Sequence, residues 1–379
     1  MSAPLGNQFY LCGFPIAHSH APNLHNHVFK ALGTDKQFGL WSTSKVTEEM
    51  LQLVRSGELG GAAVTMPIKT AIIPFLDELS PESQVTNACN TIVKVKTADG
   101  GVKLVGQNTD SSDFTPPPPS LPAVLGVRNA LLTALREQFP AKPIPSDASA
   151  AYQKSQGAFA GLVIGGGATT RSAAHALTLL GLSPIYLINR DVEEVKAVVD
   201  AMPHLTFVHL QTPDHVEEHL VGEGKPKILM IVGCIPSFAP QTYAERMVYT
   251  TASAVLTVPY VVPTAESPVL PYPTQRLFLE MPYKPLHTTM FKVAEAHGWC
   301  VIDGIQAMIE QGLAQQRMWF RGVATVEVGS DSNVLGAELE GLARAAVREK
   351  ILAPMNMTAI HAEVDHAQGK ESAVPPKKA

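Results

Sequence analysis

Apolar and polar positions along the chain form short buried runs separated by amphipathic stretches, the pattern of an α/β protein. Near the N-terminus, Phe9-Tyr10-Leu11-Cys12-Gly13 predicts a strand, Asn23 to Leu32 a helix, and Gly60 to Thr65 a second strand. Asn90 to Val95 and Val102 to Val105 flank Ala98-Asp99-Gly100-Gly101, whose Asp-Gly step suits the left-handed positions of a hairpin turn. Together these runs predict an α/β domain with a mixed sheet.

The pattern breaks after Asp110. Ser111 to Leu125 contains Pro116-Pro117-Pro118-Pro119, which cannot supply ladder or helix amides and predicts an extended surface insert. Helical periodicity resumes at Gly126, and Pro140 to Gln156 is again polar and loop-like. Ala160-Gly161-Leu162-Val163-Ile164 then predicts a buried strand that runs directly into Gly165-Gly166-Gly167-Ala168-Thr169-Thr170, followed by a helix over Ser172 to Leu180. A glycine-rich turn between strand and helix lets backbone amides approach a pyrophosphate, although Thr170 stands where the third glycine of the dinucleotide fingerprint is usual. The next strand, Ser183 to Ile188, ends in Asn189-Arg190-Asp191, where a Rossmann unit presents its ribose-reading residue. Ile228 to Val232, Ala254 to Val258 and Leu277 to Met281 predict further parallel strands, and Gln306 to Met318 a helix. Asn356 to Ala379 is polar and predicts a disordered tail.

Composition narrows the function. A chain of 379 residues with 45% hydrophobic and 17% charged residues is long enough for two globular cores. The formal net charge of -5 provides no basic footprint for nucleic acid, and no run of about 18 apolar residues offers a membrane span. The N-terminal residues have no basic stretch leading into an apolar one, so the expected compartment is the cytoplasm. Cys12, Cys89, Cys234 and Cys300 are far apart and predict reduced thiols, with neither disulfides nor zinc. His18, His20, His25 and His27 cluster, but no acidic or cysteine ligand lies near them in sequence, so no metal is expected.

The candidate chemistry lies in Val64-Thr65-Met66-Pro67-Ile68-Lys69, read with Asn90-Thr91 and Asn108-Thr109-Asp110. A lysine and an aspartate from separate loops, surrounded by threonine and asparagine, are suited to moving a proton on a small polyhydroxylated molecule. These segments, together with Gly13 to Ser19, Ala88 to Thr91, the glycine turn, Asn189-Arg190, Met281-Pro282-Tyr283-Lys284-Pro285, and Asp303-Gly304 followed by Gln311, resemble the shikimate/quinate dehydrogenase family in order and content. The wording of Ala62 to Pro67 and of Gly233-Cys234-Ile235-Pro236 is most like the fungal members.

The resemblance implies two α/β domains with the active site in a cleft between them. It divides the chain into a substrate-binding catalytic domain (1–125, including the proline-rich insert 111–125), a Rossmann-like domain (126–304), helices returning to the first domain (305–352) and a tail (353–379). It further implies NAD(P)-dependent, reversible hydride transfer at a ring hydroxyl, with Lys69 and Asp110 as the proton-transfer pair. Ser19 would bind the substrate carboxylate, and Thr65, Asn90 and Gln311 the ring hydroxyls, with Tyr283 near the meeting of substrate and nicotinamide. Gly165, Gly166, Gly167, Ala168, Thr169, Asn189, Arg190 and Asp191 would hold the cofactor. Asp191 and Glu194 stand where NADP-using relatives tend to carry a hydroxyl and a base, so NAD is the expected cofactor over NADP. Ala21 and Ala63 depart from the family pattern, the first removing a serine hydroxyl from the carboxylate site. Two other functions stay open: a non-catalytic metabolite-sensing regulator of the quinate pathway, and a Rossmann oxidoreductase for another polyhydroxylated small molecule. The expected partner is a small molecule, with neither nucleic acid nor membrane, and the expected state is monomer or homodimer.

Overall fold

The computed structural model describes residues 6–17, 19–109, 126–139, 157–261, 275–324 and 335–352. Two compact units divide the chain: Met1–Thr109 with Gly312–Ala379, and Asp110–Gln311. The proline-rich insert, the polar segment Pro140 to Gln156 and the C-terminal tail lie outside the described residues.

The first unit contains β1 (Gln8–Gly13), α1 (Ala21–Ala31), β2 (Gln37–Ser42), α2 (Glu48–Arg55), β3 (Leu59–Val64), β4 (Glu78–Leu79), α3 (Pro81–Thr86), β5 (Thr91–Lys96) and β6 (Val102–Gln107). They form a mixed sheet in the order β2-β1-β3-β5-β6-β4. β1 runs parallel to β2 and β3, whereas β5 is antiparallel to both β3 and β6. The strand β3 is buried along its whole length, as expected of an apolar strand covered on both faces. At the β5–β6 turn Gly100 takes φ +85°, a conformation costly for other residues, and its amide donates to the Thr97 carbonyl at 3.0 Å.

The second unit begins with α4 (Gly126–Gln138) and continues through β7 (Phe159–Ile164), α5 (Ala168–Leu179), β8 (Ile185–Ile188), α6 (Val192–Ala201), β9 (Phe207–His209) and α7 (Pro213–Leu220). It is completed by β10 (Lys227–Gly233), α8 (Tyr243–Thr257), β11 (Leu277–Glu280), α9 (Thr289–Ala296) and β12 (Cys300–Asp303). The sheet is parallel throughout, in the order β12-β11-β10-β7-β8-β9. The winding direction reverses between β7 and β10, so their carboxyl ends flank the crevice where open α/β sheets bind ligands. Leu177, Leu187 and Val232 belong to the core on one face, and Leu162, Ile231 and Val255 to that on the other.

One predicted strand is corrected. Ala254 to Val258 forms the end of α8 and the residue beyond it. Thr242 and Glu245 close a capping box at the start of α8, and Val248, Thr251, Ala252, Val255 and Leu256 make its buried stripe. A five-residue apolar run has the same composition at the end of a buried helix as in a buried strand; only the longer period from Val248 distinguishes them.

After β12 the chain enters α10 (Gly304–Arg321) and later α11 (Ala337–Leu352). Gly312 of α10 lies against α1, since a Cβ there would come within 2.1 Å of Leu24 Cδ2. Further along α10, Trp319 Nε1 donates to the Ile92 carbonyl at 3.1 Å and its ring packs on Gly61. Arg317 grips the Glu340 carboxylate of α11 with hydrogen bonds of 2.8 and 2.6 Å.

Candidate active site

The residues expected to meet a substrate follow the carboxyl ends of β1 and β3. The Phe14 amide donates to the Met66 carbonyl, and the Thr65 amide to the Cys12 carbonyl, each at 2.8 Å. Gly13 takes φ +152°, and a Cβ there would meet Thr65 Cγ2 at 2.4 Å, so only glycine lets the two strand ends close together. Ser19 Oγ accepts from the amide of Ala21, the first residue of α1, at 3.2 Å, which leaves the hydroxyl proton to donate elsewhere. His18 lies outside the described residues.

Lys69 follows β3 in a turn and is buried, at 8% exposure. Its carbonyl accepts from the Cys89 amide at 2.9 Å, tying the lysine turn to the segment that carries Asn90. Burial pushes the Cys89 thiol up to about 12, against the opposing effects of backbone hydrogen bonds and the Lys69 charge, so it stays a neutral thiol.

Asn90 is fully buried and held on every side but one. Its amide donates to the Gln107 carbonyl at 3.0 Å, and its carbonyl accepts from the Val64 amide at 2.7 Å. Its Oδ1 accepts from Thr91 Oγ1 at 2.7 Å, the Thr109 amide at 2.8 Å and Thr109 Oγ1 at 3.0 Å. A backbone N–H can only donate, so the Thr109 amide fixes which side-chain atom is oxygen. That leaves Nδ2 as a buried donor with no partner. Buried polar groups are overwhelmingly paired, and an unpaired one costs about 1–3 kcal/mol, so a donor kept open in so rigid a frame is suited to an incoming acceptor. Asp110 lies outside the described residues, directly after Thr109, which Asn90 pins.

One contributor was invisible in the sequence reading. Gln315 Nε2 donates to Thr91 Oγ1 at 2.9 Å and to the Asn90 carbonyl at 3.3 Å, so it completes the frame around Asn90. The predicted Gln311 lies one turn earlier on the same face of α10 and is half-buried. The four-residue spacing of Gln311 and Gln315, which puts both on one helix face, was the available signal. Ala63 is buried in β3 opposite Thr91.

The residues expected to meet a cofactor lie in the second unit, at the ends of β7 and β8. Gly165 takes φ +144°, and a Cβ on it would meet Thr170 Oγ1 at 2.9 Å. A Cβ on Gly166 would come within 2.3 Å of Asn189 Nδ2 and 2.4 Å of Glu194 Oε2, whereas Gly167 faces open space. Gly167 caps α5 without a side chain, so the amides of the first turn at Ala168 and Thr169 have no side-chain cap. This cradle fits a diphosphate.

Asn189 Nδ2 donates to Glu194 Oε2 at 2.8 Å and so holds that carboxylate beside the glycine turn. Asp191 caps α6, with Oδ1 accepting from the amides of Glu193 at 2.8 Å and Glu194 at 3.4 Å. Arg190 is exposed and pairs with Glu245. Tyr283 follows β11 and is half-buried, and desolvation pushes its phenol up to about 12.

Glu280 ends β11 at 1% exposure. Its Oε1 accepts from Thr288 Oγ1 at 2.7 Å, while Oε2 is buried without a partner. Burial pushes this carboxyl up from 4.5 to about 7, opposed by the Thr288 hydrogen bond. The folded state therefore keeps a proton that the unfolded chain releases near pH 4.5. Its contribution is full below that value and lost as pH rises through about 7. At about 1.4 kcal/mol per pK unit the loss is on the order of 3 kcal/mol. Glu280→Gln, which mimics the protonated acid, is expected to match the parent's thermal midpoint at pH 5 and exceed it by several degrees at pH 8. Equal midpoints at both pH values would contradict this assignment.

Among the described residues, His20, His25 and His27 do not gather with one another as a metal site. His25 lies in the core, stacked on Phe38 at 4.2 Å, and accepts at Nδ1 from Gln316 Nε2 at 2.9 Å. Burial pushes its imidazole down to about 3, so it is neutral at physiological pH. Among the described residues no group of three or more His, Cys, Asp or Glu side chains gathers as a metal site, and no helix is long and apolar enough to cross a membrane.

Residues 11–92 match the family model of the shikimate dehydrogenase substrate binding domain, and the resemblance to shikimate and quinate dehydrogenases is borne out there. Solved structures extend the likeness over both units. A protein described as dehydroquinate dehydratase and shikimate dehydrogenase from S. pombe is 26% identical, with a TM-score of 0.62 over 91% of this chain and 53% of its own. This chain thus spans about half the length of that protein. Shikimate 5-dehydrogenase from Thermus thermophilus, in complex with NADP(H) and shikimate, is 23% identical with a TM-score of 0.55, covering 89% of this chain and 99% of its own. Quinate dehydrogenase from Corynebacterium glutamicum, in complex with NAD, is 17% identical with a TM-score of 0.58, covering 91% and 100%. The last two likenesses carry the fold alone: an α/β unit with a mixed sheet and a Rossmann-like unit.

Proposed function

We propose that the chain is a nicotinamide-dependent dehydrogenase of quinate or shikimate, forming 3-dehydroquinate or 3-dehydroshikimate reversibly. The observation that carries this reading is Asn90, whose buried Nδ2 is left open in a frame that also ties down the Lys69 turn. In this reading Ser19 donates to the substrate carboxylate, while Thr65, Asn90 and Gln311 take the ring hydroxyls. Lys69 accepts the hydroxyl proton as the ring carbon is oxidised, and Asp110 orients the lysine. A secondary alcohol is a poor acid, so a positioned base is needed as hydride leaves.

A bound nicotinamide supplies the hydride acceptor. Gly165, Gly166, Gly167, Ala168 and Thr169 would hold its diphosphate, Asn189, Arg190 and Asp191 its adenosine ribose, and Tyr283 would lie against the nicotinamide. The carboxylates of Asp191 and Glu194 beside the turn disfavour a 2′-phosphate and support NAD over NADP. Calorimetric titration with quinate and shikimate tests the substrate class. Saturable binding of at least one acid, weakened in Asn90→Asp, is expected, and no binding of either would refute the reading.

Ala21, at the start of α1 where the Ser19 hydroxyl turns back, supports a bias toward quinate. Its small side chain leaves room where quinate carries an extra hydroxyl and a tetrahedral carbon, and it removes a donor that shikimate's carboxylate could use. Ala21→Ser is expected to raise kcat/KM for shikimate relative to quinate by about 2- to 10-fold, the value of an ordinary hydrogen bond. A serine variant with no relative gain on shikimate would sink this idea.

A further inference from the structure

Arg190 is the one cation in the Asn189-Arg190-Asp191 loop, and a cofactor 2′-phosphate would call on it. Its Nη1 is already bonded to Glu245 Oε1. Glu245 is the third residue of α8 and is anchored by its other oxygen: Oε2 accepts from the Gln241 amide at 2.7 Å and the Thr242 amide at 3.0 Å. In return the Glu245 amide donates to Thr242 Oγ1 at 3.2 Å, completing the capping box. These hydrogen bonds, from Thr242 first and Gln241 next, hold the Glu245 carboxyl below the usual range, so it is an anion at neutral pH.

The geometry gives this pair a place in the ligand crevice. β8 and β10 are the two neighbours of β7 in the sheet. The Arg190–Glu245 pair therefore joins the loop after β8 to the helix that follows β10, spanning the end of β7 from which the glycine turn departs. An exposed ion pair contributes little to stability. Its consequence here is where it holds the guanidinium. On the other side of the loop, Asn189 fixes Glu194 beside Gly166.

We infer that Glu245 is a specificity-determining residue, which withdraws Arg190 from phosphate binding and so selects a dinucleotide whose adenosine ribose has a free 2′-hydroxyl. This rests on the dinucleotide reading proposed above and deepens it by naming a residue on α8, far from the ribose loop in sequence.

The test uses the full chain and the adenosine halves of the two cofactors, 5′-ADP and 2′,5′-ADP, with Kd measured by calorimetry. Glu245→Gln keeps a capping oxygen while removing the charge, since glutamine also closes a capping box. The parent is expected to bind 5′-ADP more tightly. In Glu245→Gln the Kd ratio should shift about tenfold toward 2′,5′-ADP, the size of one charge-assisted hydrogen bond. Adding Arg190→Ala should abolish that shift. An unchanged ratio in Glu245→Gln, or a shift that persists without Arg190, overturns the inference while leaving the dinucleotide site intact. If the parent binds neither nucleotide, the dinucleotide reading falls and the inference falls with it.

Discussion

Lys69→Met is expected to lower turnover of quinate or shikimate by about 100- to 10,000-fold, the usual contribution of a general acid–base group. Lys69 is buried, so methionine, an unbranched apolar side chain of similar length, fills much of its space and the thermal midpoint should stay close to the parent's. A loss of turnover with an intact fold would assign the proton transfer to the Lys69 amine. Asp110→Asn should also be severely impaired, because in the proposed mechanism the aspartate charge orients the lysine and asparagine carries none. Near-normal turnover in Lys69→Met would remove the lysine from the mechanism.

Asn90→Asp is expected to raise KM about 10- to 100-fold at a pH where its carboxylate is charged, because the two halves of the side chain meet different partners. An aspartate oxygen still accepts from Thr91 and from the amide and hydroxyl of Thr109. The other oxygen replaces the open donor and repels a substrate oxygen instead of binding it, which is worth about 1.5–3 kcal/mol at a polar site. Asn90→Leu would in addition strand the Thr109 amide and is expected to destabilise the fold by about 1–3 kcal/mol more. An aspartate variant with parental KM for both acids would mean that Nδ2 faces no substrate.

The elements that fix the site were legible where one local pattern determined them. The all-apolar β3, the Asp-Gly turn and the strand running into the glycine turn each have a period or a φ requirement readable within a few residues. Helix α5 starts at Ala168, earlier than the Ser172 its apolar pattern suggested, because a glycine N-cap leaves no side-chain signal. The error at Ala254 to Val258 arose from a window too short to show the helical period. Residues that act through partners distant in sequence were not legible: Gln315 reaches Thr91 across 224 positions and Arg190 reaches Glu245 across 55. Glu280 looked like the end of an apolar strand, and only the fold shows its carboxylate buried beside Thr288. Asn90 was picked out by its motif, but that one of its amide atoms is saturated and the other open is a property of packing.

Oxidation of a ring hydroxyl by a nicotinamide is read from the rise of reduced-cofactor absorbance on mixing purified protein with quinate or shikimate, each with NAD and NADP. The expected result is turnover of at least one acid, larger kcat/KM with NAD than with NADP, and loss of the signal in Lys69→Met. Absence of turnover in all four combinations, from protein that nevertheless binds quinate or shikimate in the calorimeter, would contradict it and identify a metabolite sensor instead.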